Sequence, residues 1–96
     1  MTVSTVFLLV GGTGEYDDYR SWNIRAYRDK ELAENIAAQA QTHASEYFKK
    51  ATPNGPNDTN SINFQMLHEY QNPFDAKADM DYTGTNYSVK SIDLVD

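Results

Sequence analysis

A run of mostly apolar residues near the start of the chain, Thr5 to Val10, ends abruptly at Gly11 and Gly12. The run is too short for a stable isolated helix, and the glycines that follow it are strong breakers. It is therefore predicted to be a strand buried on both faces. Such a strand belongs at the centre of a sheet, and the rest of the chain is expected to fold around it.

A second strand is predicted shortly after the first. Gly11 to Tyr19 is rich in residues that tolerate positive φ and favour turns, so a loop is expected there. Ser21 to Arg28 then alternates, with Trp22, Ile24 and Ala26 on one face. This pattern predicts a half-buried strand that runs antiparallel to the first.

A long helix is predicted from Lys30 to about Lys50. Asp29 is a good N-cap, and Lys49 and Lys50 lie near the negative end of the helix dipole. The apolar residues recur at spacings of three and four and form a stripe that should pack on the first two strands. The members of this stripe are Leu32, Ile36, Ala40, Ala44, Tyr47 and Phe48.

Two segments separate the helix from the end of the chain. Residues 51–61 contain prolines, asparagines and glycine, which predict a surface linker. Residues 62–85 form an inserted segment that is lid-like or acidic. Ile62 to Met66 alternates as a strand does, yet Met66, Leu67 and Tyr70 also fit a helical turn. Both interpretations remain open.

The last segment, Asn86 to Val95, is predicted to be a third strand whose alternation changes phase. Tyr87 and Val89 share one parity, and Ile92 and Leu94 share the other. A bulge near Lys90 and Ser91 would bring all four onto one face. The fold class is therefore α+β, a single domain over residues 1–96. A small three-stranded sheet in β-β-α-β order carries one main helix on one face, and the last strand lies parallel to the second.

The composition excludes several classes of function. The sequence has no cysteine, which excludes disulfides and thiolate metal sites, and the N-terminal run is too short for a membrane span. The formal net charge is −6, which argues against direct binding of nucleic acid. After residue 50 only Lys77 and Lys90 oppose the acidic side chains, so this half should present an acidic surface that attracts basic partners. We expect a soluble cytoplasmic protein with no membrane partner.

The candidate binding residues lie in two loops. Paired aromatic and acidic residues offer a stacking surface and hydrogen-bond acceptors together. Residues 79–84 also resemble the start of a calcium loop, but Lys90 stands where a bidentate Glu is required. We predict no metal, cofactor or catalytic residue. The predicted partner-binding residues are Tyr16, Asp17, Asp18, Tyr19, Asp75, Asp79, Asp81 and Tyr82.

Three short patterns resemble a group of small bacteriophage-encoded proteins. The patterns are Gly14-x-Tyr16-x-Asp18-Tyr19, Tyr27-x-Asp29-Lys30-Glu31-x-Ala33-Glu34 and Tyr82-x-Gly84-Thr85-x-Tyr87-x-Val89. The resemblance implies a phage origin, hence the cytoplasm of a host cell, and a β-β-α-β fold. It carries no catalytic residue to this chain, and residues 51–81 lie outside it.

The leading hypothesis is a non-enzymatic protein that binds and inhibits a host protein through its acidic surface. The target would have a basic surface, as a defence enzyme or a nucleic-acid enzyme has. The alternative is a module that binds a small nucleotide-like ligand. It would use the glycine stretch, Gly11 to Gly14, and the loop of Tyr16 and Tyr19. An enzyme is the third hypothesis. One helix can cover only one face of the sheet, so residues 62–74 or a second copy in a homodimer should cover the other.

Overall fold

The computed structural model describes residues 3–95. Three strands and two helices make up the fold, and two short 3-10 turns, at Tyr16–Asp18 and Thr59–Ser61, lie in the connections. The strands and helices are β1 (Val3–Thr13), β2 (Arg20–Tyr27), α1 (Lys30–Ala51), α2 (Phe64–His68) and β3 (Thr85–Val95).

The strands form one open sheet with β1 at its centre, in the order β2-β1-β3. Both neighbours run antiparallel to β1, so β2 and β3 are parallel to each other. The chain crosses from β2 to β3 through α1, with β1 between them. The predicted α+β class, the β-β-α-β order and the central position of the first strand are confirmed.

Helix α1 covers one face of this sheet. Asp29 caps it as predicted, because the Oδ1 atom of Asp29 accepts a hydrogen bond from the Leu32 amide at 3.2 Å. The predicted stripe is displaced in the first turns, where Leu32 is 46 % exposed and Ala33 and Ala37 are buried. Small side chains at the line of contact let the helix axis approach the sheet closely, which leaves Leu32 beside the interface. The buried residues of α1 are Ala33, Ala37, Ala40, Ala44 and Ala51.

The segment between α1 and β3 packs on the same side of the sheet as the helix. Of the two interpretations of residues 62–66, the helical one is correct from Phe64 onward, where Asn63 caps α2 by accepting a hydrogen bond from the Met66 amide at 3.1 Å. The segment completes the core rather than covering the other face. The core cluster comprises Ala40, Ala44, Ala51, Ile62, Leu67, Tyr70, Met80 and Tyr87.

Two local predictions are wrong. Strand β1 continues through Gly11 and Gly12 to Thr13, so these glycines belong to the sheet and not to a loop. The pairing of β1 with β3 keeps one register throughout, whereas the irregularity lies in β2, where Ile24 is the extra residue opposite Leu9 and Val10. The bulge resets the alternation of β2 and turns Ala26 to the face opposite Trp22.

The face of the sheet away from α1 is open. Val6, Leu8 and Val10 lie on this face and are only partly buried, while Leu9 on the helix side is fully buried. The prediction that the first strand is buried on both faces is therefore wrong, because no helix among residues 3–95 packs on the second face. Nor is any helix in this part of the chain long and apolar enough to cross a membrane.

Candidate functional site

Two loops meet at the end of the sheet where β1 finishes. One is the loop of residues 14–19 between β1 and β2, and the other is the segment of residues 79–84 that precedes β3. Thr13, the last residue of β1, is almost fully buried and joins them. Its Oγ1 atom donates a hydrogen bond to the Gly84 carbonyl at 2.7 Å and accepts one from the Asp81 amide at 2.8 Å. The Gly14 amide donates to Oγ1 of Thr83 at 3.1 Å. The turn before β3 is thus fixed against the loop that follows β1.

Arg20, the first residue of β2, bridges the same two loops. Its Nε atom lies 2.6 Å from Oδ2 of Asp79, and its Nη1 atom lies 3.5 Å from Oδ2 of Asp81. Nη1 also donates to the backbone carbonyl of Asp18 at 3.3 Å. The hydrogen bond that Arg20 donates to Asp79 is the main reason that the pKa of Arg20 is raised. Because these side chains remain partly exposed, the pairs should contribute no more than about 1 kcal/mol to stability.

We call this end of the molecule the acidic pole. Only one guanidinium, that of Arg20, opposes its carboxylates among the residues that build it. The negative charge of Glu15 is the main cause of a raised pKa for Tyr82, and Asp81 and Asp18 add to it. Carboxylates from both loops therefore lie close enough to influence the same tyrosine. The acidic pole is defined by Glu15, Asp17, Asp18, Asp79 and Asp81.

Three tyrosines surround these carboxylates. Tyr16 is 91 % exposed and has a φ of +53°, in the left-handed region that non-glycine residues rarely adopt. Tyr19 is also exposed, and its hydroxyl end lies over Gly12 on the open face of the sheet. Tyr82 lies beside the carboxylates. The acidic pole thus combines negative charge with exposed aromatic rings.

The structure brings together the predicted binding residues of the two loops, with one exception. Tyr16 to Tyr19 and Asp79 to Tyr82 meet at the acidic pole, although the two segments are far apart along the chain. Asp75 does not join them, because it is buried with only 3 % of its surface exposed. Its assignment to a binding surface is therefore wrong.

Asp75 instead accepts hydrogen bonds inside the fold. Its Oδ2 atom accepts from Nε1 of Trp22 and from the hydroxyl of Tyr87, both at 2.9 Å. Its Oδ1 atom accepts from the Lys77 amide at 2.9 Å. Burial, followed by the hydrogen bond to Asp75, raises the pKa of Tyr87. This network fixes the loop before β3 against the sheet.

The glycine stretch does not form a ligand cradle. Gly11 lies beneath the indole of Trp22, and Gly12 lies beneath Tyr19, so both glycines provide room for an aromatic ring. Within residues 3–95, no group of three or more His, Cys, Asp or Glu side chains is arranged to hold a metal ion. The acidic pole therefore offers charge and aromatic surface.

Two cavities lie elsewhere, on either side of Phe74. One, of about 310 Å³, opens between β2 and the Pro73–Lys77 loop, and Arg25 is among its lining residues. The other, of about 390 Å³, is a shallow depression along α1 beside His43. Neither cavity is lined by the glycine stretch or by the loop of Tyr16 and Tyr19, so neither supports the small-ligand alternative.

Comparisons with protein-family models, with curated proteins and with solved structures found no match for this chain.

Proposed function

We propose that the protein is a non-enzymatic binding protein whose acidic pole contacts a basic surface on a partner protein. The resemblance to phage-encoded proteins makes a host protein the expected partner, and a nucleic-acid or defence enzyme has the required basic surface. Occupation of such a surface would exclude nucleic acid and inhibit the partner.

The charge of the pole supports this proposal. Glu15, Asp17 and Asp18 extend from one loop, and Asp79 and Asp81 extend from the other, beside a single Arg20. An array of carboxylates on a rigid end of a sheet presents negative charge at fixed spacings, as a nucleic-acid backbone does. Such an array both steers a basic partner and gives specificity.

The backbone conformation and exposure of Tyr16 are the strongest support for the proposal. A tyrosine with a φ of +53° costs on the order of 1 kcal/mol, and its ring is 91 % exposed, so packing of the ring does not offset the cost. Strain of this kind is typical of binding sites. An exposed ring between carboxylates can stack on an arginine of the partner while the acids pair with its other cations.

The charge of the pole is tested with two variants that remove equal numbers of carboxylates. The pole variant combines Glu15→Gln, Asp17→Asn and Asp18→Asn, because none of these three side chains makes a hydrogen bond or salt bridge within residues 3–95. The matched control combines Glu31→Gln, Glu46→Gln and Asp58→Asn, which lie outside the two loops that form the pole. Both variants have the same net charge.

Each protein is immobilised and exposed to host lysate, and the bound proteins are quantified by mass spectrometry. We expect the wild type and the control to enrich the same basic protein, and the pole variant to lose it. Duplex DNA or RNA should compete for the purified partner. Equal enrichment by all three proteins, or none by the wild type, would contradict the proposal.

The role of Tyr16 is tested separately by Tyr16→Asn. Asparagine tolerates the left-handed region, so we expect the free energy of unfolding to stay the same or to rise. Binding to the captured partner should weaken by tenfold or more, about 1.4 kcal/mol. A variant that binds as the wild type does would remove Tyr16 from the interface, and a loss of stability would give it a structural role.

A further inference from the structure

The far end of the sheet is a two-stranded ribbon. Strand β2 ends at Tyr27, which pairs with Phe7, so residues 3–6 of β1 pair only with residues 92–95 of β3. Residues 91–95 are exposed on both faces. A two-stranded ribbon is marginally stable in water without packing on one of its faces. Because the ribbon is exposed on both faces, we expect a further surface to pack on it and stabilise it.

The sequence of β3 indicates which face of the ribbon is to be covered. Beneath α1, the apolar residues Tyr87 and Val89 point toward the helix. Farther along the strand, Ser91 and Asp93 occupy that face, and Oδ1 of Asp93 accepts a hydrogen bond from Oγ1 of Thr5 at 3.1 Å. No bulge intervenes. The apolar side therefore changes from the helix face to the open face where the helix no longer covers the strand.

The apolar residues of the open face form one continuous patch along β1 and β3. Ile92 pairs with Val6, and Leu94 lies two residues farther along β3; they are 37 % and 47 % exposed. We call this set the open-face patch. It comprises Val6, Leu8, Val10, Ile92 and Leu94.

We infer that the open-face patch is the interface of a weak homodimer in which two sheets pack face to face. In such a pair each patch residue is used on both sides of the interface, because a two-fold axis makes the surface self-complementary. The two sheets would pack about 10 Å apart and nearly aligned. This inference does not depend on the proposed partner of the acidic pole.

The distribution of charge favours a second copy as the occupant. The chain has a net charge of −6, yet the strand positions on the open face within residues 3–95 carry no carboxylate. Lys90 is on this face, on an edge strand, from which a long side chain can reach solvent. The acidic pole lies at the opposite end of β1 from the ribbon. If the two sheets pack with their β1 strands antiparallel, the poles lie at opposite ends of the dimer, tens of ångströms apart and well beyond the Debye length of about 8 Å.

The area of the face indicates that the dimer is weak, because an interface of this size falls among transient complexes. Strands of eleven residues span about 36 Å, and three strands span about 14 Å, so the face measures roughly 500 Å² per copy. Standard interfaces bury about 800 Å² per partner. We therefore expect a dimer with a dissociation constant in the micromolar range.

The inference is tested by sedimentation equilibrium from about 1 to 500 μM. The wild type should approach twice its monomer mass of 10.9 kDa as its concentration rises. The double variant Ile92→Lys and Leu94→Lys should remain monomeric, with a dissociation constant raised at least tenfold. The matched control is Val95→Lys, which adds a charge to the helix side of the same ribbon and should dimerise as the wild type does. A wild type that stays monomeric at 500 μM, or a double variant that dimerises normally, would overturn the inference.

A second measurement does not depend on the folding of the double variant. The chain has no cysteine, so Lys90→Cys, which lies at the middle of the open face beside Leu8, and Ser91→Cys on the helix face can each be oxidised as single-cysteine proteins. We expect a covalent dimer from Lys90→Cys and at least tenfold less from Ser91→Cys. Equal yields would overturn the inference, and so would a monomeric wild type that binds phosphatidylcholine vesicles, because lipid would then be the occupant.

Discussion

The Nε1 atom of Trp22 donates a hydrogen bond to the buried carboxylate of Asp75 across 2.9 Å. The hydroxyl of Tyr87 donates to the same oxygen, so one acidic side chain joins β2, β3 and the loop before β3. A carboxylate is costly to bury unless its oxygens are hydrogen-bonded, and here both oxygens accept. Asp75 therefore connects these three parts of the fold on the helix side of the sheet.

Replacement of Asp75 by alanine should destabilise the protein strongly. The variant leaves the Trp22 and Tyr87 donors without an acceptor, and each unsatisfied buried group costs about 1–3 kcal/mol. We expect Asp75→Ala to lower the free energy of unfolding by about 2–4 kcal/mol in urea titrations. The control is Asp58→Ala, an exposed position whose side chain makes no cap hydrogen bond, which should change stability by less than about 0.5 kcal/mol. Similar losses in the two variants would contradict this role for Asp75.

Stability should fall at alkaline pH because of Tyr87. Burial and the hydrogen bond to Asp75 raise the pKa of Tyr87 above its ordinary value of 10.0. Above about pH 10 the unfolded chain loses this proton and the folded chain keeps it, so the unfolded state binds fewer protons. The free energy of unfolding then decreases by up to about 1.4 kcal/mol per pH unit.

The variant Tyr87→Phe isolates this effect. It should be less stable than the wild type at pH 7, because it loses the hydrogen bond to Asp75, but its stability should decline less steeply between about pH 10 and pH 11. Tyr70, whose pKa burial also raises, interacts with Tyr87, so the comparison is repeated in a Tyr70→Phe background, where its contribution is absent. Urea unfolding at each pH provides the measurement. Parallel declines would show that Tyr87 does not control the alkaline loss.

The two strand glycines should differ in their tolerance of alanine. A Cβ atom at Gly11 would lie 2.7 Å from Nε1 of Trp22, and one at Gly12 would lie 2.6 Å from the Tyr19 hydroxyl. Trp22 is held by Asp75 and cannot move without losing its hydrogen bond, whereas Tyr19 is exposed and can swing away. We expect Gly11→Ala to cost about 1–3 kcal/mol and Gly12→Ala less than about 1 kcal/mol in urea unfolding. The reverse order would mean that Tyr19 is the more constrained ring.

Local signals in the sequence were sufficient for much of the fold. The Asp29 cap, the breakers around Pro53 and the apolar run at Thr5 to Val10 each act within a few residues, and they predicted α1 and the β-β-α-β order. The bulge at Ile24 was not predicted, because Trp22, Ile24 and Ala26 alternate as a regular strand does. The phase change in β3 was misread as a bulge, since the sequence alone does not show where the helix stops covering the strand.

The site was predictable in its residue types but not in its assembly. Tyr16 to Tyr19 and Asp79 to Tyr82 were recognised as exposed aromatic and acidic loops. Their meeting depends on Thr13, whose hydroxyl makes two long-range hydrogen bonds that no local pattern signals. Asp75 was misassigned because a buried carboxylate and a solvated one look alike in sequence, and only the positions of its donors Trp22 and Tyr87 distinguish them.

Gln41 closes part of the exposed edge of β3, and its loss should open that edge. Its Oε1 atom accepts a hydrogen bond from the Tyr87 amide at 2.7 Å, and its Nε2 atom donates to the Thr85 carbonyl at 3.2 Å. These are the backbone groups that a neighbouring strand would otherwise use, so the side chain takes the place of a strand. We expect Gln41→Ala to lower the free energy of unfolding by about 1–3 kcal/mol, because both backbone groups are left unpaired near the core.

Amide hydrogen exchange of Tyr87 reports this edge directly, and its protection should fall in Gln41→Ala while that of β1 amides falls only as far as global stability does. Aggregation at high concentration should also be faster, since an unpaired edge is a template for another strand. The control is Gln39→Ala, whose side chain bonds only to Asn35 one turn earlier on the exposed side of α1, and it should behave as the wild type does. If Tyr87 exchange is unchanged in Gln41→Ala, water satisfies the edge equally well and Gln41 does not protect it.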